Sequence, residues 1–282
     1  MTCYFPISGF KGENGKFVQN RAHSKAGIPL TIPCRQCLGC RLDHAQEWAT
    51  RLTHELQFHE QAMFITLTYR DADLPKDSSL ELRDWQLFMK RLRERIAPKR
   101  VKFYMAAEYG KIDMVTGLSE TVHKKRFPMT PFNPTIGRPH FHAIIFGHEY
   151  NDLQELFRNK HGDTIYTSEK LANDWGKGHA SIGAVTEQSC GYVARYVTKK
   201  ITGDQSEEHY TRKKVDQDGI LLESTPVKAE FSTMSRGNRQ SPQNGIGHQW
   251  IERYLSDVFP HDRVVLHRPG RPPQIVTDAN GS

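Results

Sequence analysis

Residues 137–146 constrain the fold more than any other part of the chain. Their sequence, Gly-Arg-Pro-His-Phe-His-Ala-Ile-Ile-Phe, joins an apolar run to histidines at alternate positions. Successive side chains of a β-strand point to opposite faces, so His140 and His142 are predicted to share one face. The alternate residues are predicted to pack into the core on the other face: Phe141, Ala143 and Ile145. The pattern therefore predicts a buried strand that presents two imidazoles side by side.

Two imidazoles at neighbouring positions can hold one divalent cation if a third ligand comes from elsewhere. Glu108 is the best candidate, because it lies near the end of a predicted strand, 101–109, that is expected to pair with 140–147. Mixed imidazole and carboxylate ligation suits Mg²⁺ or Mn²⁺, although imidazole also accepts Zn²⁺. The chain has fourteen histidines, so the pair by itself is equally compatible with ordinary strand histidines.

A second motif follows about fifty residues later, where residues 192–200 are Tyr-Val-Ala-Arg-Tyr-Val-Thr-Lys-Lys. A helix is predicted over 188–201, and residues four apart lie on one helix face, so Tyr192, Tyr196 and Lys200 should form one stripe. Two tyrosine hydroxyls could then reach the same metal-bound phosphate, and Lys200 or Lys199 could stabilise the developing charge. The alternative is a helix that packs aromatic rings on a sheet, with lysines favoured at its C-terminus by the helix dipole.

A third motif is the cysteine cluster near the N-terminus. Cys34, Cys37 and Cys40 follow the spacing Cys-x₂-Cys-x₂-Cys, and His44 comes four residues later. Three thiolates and one imidazole suit Zn²⁺, so a possible zinc site is predicted. Cys3 is the alternative fourth ligand if the N-terminal arm folds back. The odd number and crowding of the cysteines are not those of a disulfide framework and suit a reducing compartment.

Charge and hydropathy exclude some classes of protein. Lys and Arg number 39 against 32 for Asp and Glu, a net charge of +7. This excess favours a polyanionic partner, but it is equally compatible with a basic soluble surface. No apolar run approaches the roughly 18 residues of a membrane-spanning helix, and the N-terminus does not resemble a signal peptide. A soluble, intracellular protein is expected.

The remaining periodicity places secondary structure along the chain. Helices are predicted at 42–60, 80–96, 152–158, 168–175 and 247–258. Further strands are predicted at 63–69 and 180–185, with a possible one at 219–223. Irregular structure is predicted for 1–33, 111–139 and the rest of 202–244. Because strands and helices mix without regular alternation, the predicted fold class is α+β, an antiparallel β-sheet with packed helices.

Taken together, these motifs resemble the HUH endonucleases. They are more closely similar to the replication-initiation proteins of gokushovirus-type microviruses, which are small single-stranded DNA phages. The likeness is carried in order by residues 33–41, 64–69, 108–110, 137–142 and 192–200. Residues 234–236 and 245–247 are similar to the family's downstream segment. The resemblance covers roughly residues 30–260.

The resemblance implies a metal-dependent nickase that starts rolling-circle DNA replication and later rejoins the strand. One tyrosine would attack a phosphate of the single-stranded origin, leaving a 5′-phosphotyrosyl link and a free 3′-OH, and the second would act after a round of synthesis. Matching positions imply metal ligands and catalytic residues, respectively His140, His142 and Glu108, and Tyr192, Tyr196 and Lys200. The implied partners are origin DNA and the host helicase and polymerase, in the cytoplasm of the bacterial host and away from membranes.

Three regions are predicted on this basis. Residues 1–60 form an N-terminal arm with the cysteine cluster and a helix, 61–201 an HUH-type catalytic domain, and 202–282 a C-terminal extension with a terminal helix and a Pro-rich tail. Two alternatives stay open. One is a zinc-containing DNA-binding regulator without catalysis, and the other is a single-tyrosine transposase of the same fold, against which the second tyrosine argues.

Overall fold

The computed structural model describes residues 3–13, 15–24, 26–159, 161–198, 200–201, 203, 205–258, 263–266 and 274–277. Over these residues the chain is α+β, and its main element is a seven-stranded sheet in which every neighbouring pair is antiparallel. The predicted fold class is confirmed. In the described part of the chain, none of the helices combines the length and the apolar character needed to span a membrane.

The strands and helices follow one another in an irregular order. The first half contains β1 (Ile7–Lys11), β2 (Phe17–Val18), β3 (Pro29–Ile32), α1 (Leu38–Leu56), β4 (Ala62–Thr68), α2 (Leu82–Ile96), β5 (Lys102–Asp113), α3 (Glu120–Arg126) and β6 (Pro134–Phe146). The second half contains β7 (Gln154–Arg158), β8 (Thr164–Thr167), α4 (Glu169–Trp175), β9 (Ala180–Gly183), α5 (Glu187–Arg195), α6 (Ser206–His209), β10 (Thr211–Val215), β11 (Leu221–Pro226), β12 (Phe231–Met234), α7 (His248–Val258), β13 (Arg263–Leu266) and β14 (Gln274–Thr277).

The strand order of the main sheet is β12-β5-β6-β4-β9-β8-β7. The long hairpin β5–β6 lies near its middle, and the predicted pairing of 101–109 with 140–147 is confirmed. Strand β12 completes one edge by pairing with β5. This strand comes from the region predicted as a C-terminal extension, so that region contributes directly to the sheet.

Helices cover both faces of the sheet, and the central strands are therefore apolar on both sides. On one face Phe141 of β6 packs with Trp85 of α2 and Trp175 of α4. On the other face a second apolar cluster joins β6 to α1 and α5 through Ile144, Phe146, Leu52 and Val193. His140 and His142 alternate with the first set and so lie on the face that α5 covers. The sheet thereby turns its histidines toward the tyrosine helix.

Helix α5 is fixed at both ends by local interactions. Thr186 caps its N-terminus, and its hydroxyl and that of Ser189 accept hydrogen bonds from each other's backbone N–H groups. The α-helix ends at Arg195 and continues as a single 3₁₀ turn over Tyr196–Thr198. It is therefore shorter than the predicted 188–201, and Lys200 lies beyond it.

Two segments predicted as irregular contain strands. Residues 1–33 hold a small sheet of order β2-β1-β3, whose short strands carry too little apolar alternation to be recognised. Within 111–139, β5 and β6 extend as paired arms, and the carboxylate of Asp113 closes their connection by accepting the Thr116 and Asn133 backbone N–H groups at 2.8 Å. These arms project from the core, so polar residues serve them as well as apolar ones.

Two further predictions are corrected near the sheet edges. The helix predicted at 152–158 is strand β7, in which a bulge between Glu155 and Phe157 breaks the alternation that would identify a strand. The region 202–244, predicted to be largely irregular, forms α6, the hairpin β10–β11 and β12. The hairpin turns at Asp216, whose side chain accepts the backbone N–H groups of Asp218 and Ile220.

Candidate active site

Three potential metal ligands converge on the central hairpin. Glu108 on β5 pairs directly with His140 on β6, and His142 follows two residues later on the same face. One oxygen of Glu108 lies 3.0 Å from His142 Nε2 and 3.9 Å from His140 Nε2. The ligand atoms of all three lie within 4.8 Å of one another, so one cation could contact all of them. The register of β5 and β6 thus brings together the residues chosen from the sequence.

Thr66 on β4 orients His142 from the opposite side. It pairs directly with His142, and its hydroxyl lies 3.0 Å from His142 Nδ1. If the hydroxyl accepts the Nδ1 proton, the lone pair of Nε2 is directed toward Glu108 and is available to a cation. The sequence analysis did not single out Thr66. Alternate polar residues in 62–68 would have shown that Thr66 and Thr68 share a face.

The His142 ring lies within a group of aromatic side chains. Phe64 stacks near it with ring centroids 5.8 Å apart, and Tyr196 stacks parallel to it at 5.0 Å. Tyr192 meets the same imidazole edge-on at 5.8 Å and contacts Tyr196 at 5.0 Å. Both tyrosines of the second motif therefore lie beside one potential metal ligand.

The two tyrosines differ in their surroundings. Tyr192 is 44% exposed and Tyr196 only 6%. Burial raises the pKa of the Tyr196 hydroxyl well above its ordinary value, and the carboxylate of Glu108 raises it further. Tyr196 is therefore a protonated, covered phenol in the isolated chain, whereas Tyr192 is open to an incoming strand.

Gly110 leaves room for the His140 imidazole. A methyl group at its Cα would lie 3.0 Å from His140 Cε1. The register of β5 and β6 shifts at this point, between Tyr109 and Lys111. The close approach gives a physical reason for glycine in the Glu-Tyr-Gly segment. Beside Glu108 a cleft of about 730 Å³ opens, bounded by β5, β6 and residues 198–213.

Lys200 is not on the tyrosine stripe. The helix ends before it, and its backbone carbonyl accepts a hydrogen bond of 3.1 Å from the side chain of Arg41 on α1. Its exposed side chain lines a second cleft, next to the cysteines. The predicted stripe of two tyrosines and a lysine is correct for the tyrosines and wrong for Lys200. Lys199, the alternative lysine, lies outside the described residues.

Four cysteines gather where the N-terminal arm meets α1. The sulfur atoms of Cys3, Cys34, Cys37 and Cys40, which we call the cysteine centre, lie within 4.8 Å of one another. Backbone N–H groups donate to three of them, from Cys34 to Cys3 at 3.3 Å, from Tyr4 to Cys37 at 3.4 Å and from Cys37 to Cys34 at 3.4 Å. Such a set could hold one tetrahedral cation.

Cys3, and not His44, supplies the fourth ligand of this centre. His44 lies one turn further along α1, where its ring accepts a hydrogen bond from Trp48 and lies 3.6 Å from Glu47. The sequence prediction of His44 is therefore corrected, and the folded-back arm that was its alternative is present. Short spacing along the chain favoured His44, whereas the fold of β1 to β3 returns Cys3 to the cluster.

The cysteine centre already favours ionised sulfur in part. Backbone N–H groups of Cys40 and Tyr4 lower the pKa of Cys37 to about 6. Hydrogen bonds from the Cys37 and Gln36 backbone lower the pKa of Cys34 as well. Burial instead raises the pKa of Cys40 to about 12. Because cations bind thiolates, the first two sulfurs are prepared for ligation, and Cys40 would lose its proton on binding.

Helix α1 connects the cysteine centre to the tyrosines. Cys37 caps its N-terminus, with the side chain accepting the Cys40 N–H. Farther along, Leu52 packs with Val193 and Cys190 of α5 in the core beneath Tyr196. Cys190 is buried there, away from the other four cysteines, so it belongs to the packing of the two helices.

Comparisons with known proteins agree with this architecture. The family model of the replication-associated protein ORF2 matches residues 118–201, which contain both histidines and both tyrosines. The replication-associated protein VP4 of Bdellovibrio phage phiMH2K is 30% identical over 270 residues, covering 94% of this chain and 72% of that protein. The chain belongs to the gokushovirus-type replication-associated proteins of microviruses.

Other members of the family extend the comparison. The replication-associated protein ORF2 of Spiroplasma virus 4 is 31% identical over 220 residues, 71% of this chain and 62% of that protein. The replication-associated protein ORF4 of Chlamydia phage 1 is 30% identical over 252 residues, 87% of this chain and 52% of that protein. The chain thus spans about half to three quarters of the length of these relatives. No solved structure gives a significant match.

Proposed function

We propose that this protein starts rolling-circle DNA replication by nicking a single-stranded origin with tyrosine and later rejoining the strand. The observation that carries the proposal is the packing of Tyr192 and Tyr196 on His142, one of three residues suited to hold a divalent cation. A regulator that only bound DNA would have no use for two phenols at a cation site. The names of the relatives, which refer to replication, support the biological setting.

In the nicking step, the phenolic oxygen of one tyrosine attacks the scissile phosphorus as its proton leaves to solvent. A tyrosyl O–P bond forms, the P–O3′ bond breaks, and the leaving 3′ oxygen takes a proton from water. One phosphodiester is exchanged for another, so the reaction is nearly balanced in free energy and can run backwards. Reversal rejoins the strand, and a second tyrosine allows a second origin to be cut while the first link persists.

The remaining residues of the site hold the reacting groups in place. His140, His142 and Glu108 would bind Mg²⁺ or Mn²⁺, which when bound polarises the phosphate and neutralises its developing charge. Thr66 fixes the tautomer and the orientation of His142. Phe64 and Tyr196 limit the access of water to the imidazole by covering its two faces.

We further propose that the cysteine centre binds Zn²⁺ as a structural ion. Four cysteine ligands with N–H···S hydrogen bonds are typical of closed structural zinc sites. The centre lies at the first turn of α1, whose far end supports the tyrosine helix. Its role in this proposal is to fix α1 and therefore the position of the nucleophiles.

The test uses purified protein, Mn²⁺ and labelled single-stranded oligonucleotides that tile the genome encoding the chain. We expect one oligonucleotide to give a covalent adduct that survives denaturation and releases a labelled 3′-OH fragment. The Tyr192→Phe/Tyr196→Phe double variant should form no adduct, and neither should His140→Ala or His142→Ala.

Matched controls separate chemistry from general damage. Tyr166 on β8 and His161 in the loop before it lie at the far side of the sheet. Tyr166→Phe and His161→Ala should form the adduct at the wild-type rate. An adduct that persists in the tyrosine double variant would overturn the proposal, and binding without any adduct in the wild type would favour the regulator.

A further inference from the structure

A second cleft of about 710 Å³ lies between the cysteine centre and the segment that follows the tyrosine helix. We call it the basic cleft, and three cationic side chains line it: Arg35, Arg41 and Lys200. Gln36 and Gln205 add amide groups to the same wall. Two carboxylates, those of Asp43 and Glu47, also reach it, so cations outnumber anions three to two.

The cations of the basic cleft are available to a ligand. Arg35 and Lys200 are exposed, and neither forms an ion pair with a carboxylate in the described part of the chain. Arg41 spends one guanidinium nitrogen on the Lys200 carbonyl. Its Nε is buried and has no hydrogen-bond partner among the described residues. A buried donor without an acceptor is costly unless a ligand supplies one, and a phosphate oxygen would do so.

The cysteine centre holds two of these cations in place. Arg35 lies inside the loop between Cys34 and Cys37, at a backbone φ of 62°, and Arg41 directly follows Cys40. A non-glycine residue in this conformation is uncommon, and here the sulfur ligands on either side fix the loop around it. The N-terminus of α1 points into the same region and adds its partial positive charge.

The basic cleft is adjacent to the candidate active site. Thr198 and Ile201 line the cleft beside Glu108, while Lys200 and Ile201 line the basic cleft. Lys200 follows Tyr196 by four residues, which limits the separation of their Cα atoms to about 14 Å. A single strand that leaves the tyrosines could therefore cross Ile201 and enter the basic cleft within a few nucleotides.

We propose that the basic cleft binds the backbone phosphates of the single-stranded DNA next to the nicking site. Arg35 and Lys200 contact phosphates directly, Arg41 uses its free Nε, and the cysteine centre fixes the arginines. This inference rests on the proposed nicking function for its substrate. It gives Lys200 a role in binding the strand instead of the role in catalysis that the sequence suggested.

The experiment measures binding of fluorescein-labelled oligothymidylate by anisotropy across a salt series, and adduct formation on the tiled oligonucleotide in the same preparations. Arg35→Ala and Lys200→Ala should each weaken oligothymidylate binding about three- to tenfold. Each should also reduce the dependence of log affinity on log salt by about 0.7, the value for one phosphate contact to a single strand. Arg35→Lys should restore most of the affinity, because it keeps the charge.

Two exposed cations far from the cleft serve as controls. Arg158 on β7 and Lys124 on α3 are 68% and 67% exposed. Arg158→Ala and Lys124→Ala should leave both affinity and salt dependence unchanged. Equal losses in these controls, or wild-type binding by Arg35→Ala and Lys200→Ala, would overturn the inference.

Single-turnover rates assign Lys200. If it binds the strand, Lys200→Ala should reach the wild-type adduct rate once DNA is saturating. A rate that stays more than about tenfold low at saturation, a barrier increase of about 1.4 kcal/mol, would make Lys200 catalytic and refute this part. Failure of the nicking function is distinct, because the wild type would then form no adduct, and the inference would fall with it.

Discussion

The phenol ring of Tyr196 lies parallel to the imidazole of His142, with an interplanar angle of 2° and ring centroids 5.0 Å apart. Tyr192 packs edge-on against both rings. The order of the three rings places Tyr192 outermost and leaves Tyr196 almost without solvent contact. Two residues of the same type, one helical turn apart, thus occupy unequal positions at one site.

The unequal exposure predicts that Tyr192 makes the first covalent link to DNA. An incoming phosphate meets the exposed hydroxyl, whereas Tyr196 becomes accessible only when Tyr192 moves away with the strand attached. Trypsin cleaves after Arg195 and so places the two tyrosines in different peptides. Mass spectrometry of the digested adduct, after nuclease trimming, should find the nucleotide on the peptide that contains Tyr192.

Single variants provide the check. Tyr192→Phe should reduce the first adduct by more than about tenfold, which corresponds to about 1.4 kcal/mol in the barrier. Tyr196→Phe should keep the first adduct but lose transfer of the strand to a second origin. A first adduct that maps to Tyr196 would show that exposure in the isolated chain does not set the order.

A second prediction concerns the hydroxyl of Thr66. Thr66→Val keeps the shape of the side chain but removes the hydrogen-bond partner of His142 Nδ1. We expect affinity for Mn²⁺ to fall about 10- to 100-fold, the usual effect of removing a group that orients a ligand. Isothermal titration calorimetry measures this directly.

Thr68→Val is the matched control for Thr66. It changes the same side chain on the same strand face, but the Thr68 hydroxyl donates to the carbonyl of His179 instead of contacting a histidine ring. Its Mn²⁺ affinity should match the wild type. If both variants lose affinity equally, damage to β4 and not the orientation of His142 is the cause.

A third prediction distinguishes the two candidates for the fourth zinc ligand. Cys3→Ser should lower the affinity of the protein for Zn²⁺ by at least about tenfold, because a thiolate ligand is lost. His44→Ala should leave it unchanged, because the imidazole lies beside Trp48 and Glu47. Competition with a chromogenic chelator measures both affinities, and weak binding by His44→Ala alone would restore His44 as the ligand.

A fourth prediction concerns stability, through the buried carboxylate of Glu55 on α1. It contacts His59 and Lys102 at 2.7 Å and accepts the Gly247 N–H at 2.8 Å. Burial by itself would raise the pKa of Glu55, but the hydrogen bonds from His59, Lys102 and Gly247 outweigh it and lower the pKa. The charged form therefore ties α1 to β5 and to the start of α7.

Glu55→Gln should lower the free energy of unfolding by about 2 kcal/mol at neutral pH. Because folding lowers the pKa, the wild-type advantage is complete above the ordinary value of 4.5 and is lost as pH falls through the folded value. Urea unfolding of both proteins from pH 7 downward measures it. A difference that stays constant or grows on acidification would contradict the role of the charge.

Secondary structure with strong periodicity was predictable from the sequence. The helix over 80–96 and the strands that carry Glu108 and His140 were placed within a few residues of their observed bounds. Each buries an apolar face, so selection for burial leaves a regular pattern. The strands β1 to β3 and β7 were missed because they lie at the periphery, where polar residues and bulges suffice.

The candidate site divides in the same way. His140, His142, Tyr192 and Tyr196 were found from spacing alone, because strand and helix geometry fix which side chains share a face. Glu108 needed only the additional expectation that two strands pair. Thr66 was missed, since its hydroxyl acquires meaning only when β4 lies beside β6.

The sequence by itself determined the fold class, the two motifs and the residue types suited to a cation and to nucleophilic attack. These depend on periods of two and 3.6 residues, which act over short distances along the chain. Only the tertiary structure decided that Cys3 joins Cys34, that Lys200 lies beside Arg41, and that one tyrosine covers a histidine while the other stays open. Those relationships join residues far apart in sequence or depend on where a helix stops, and packing of the whole chain sets both.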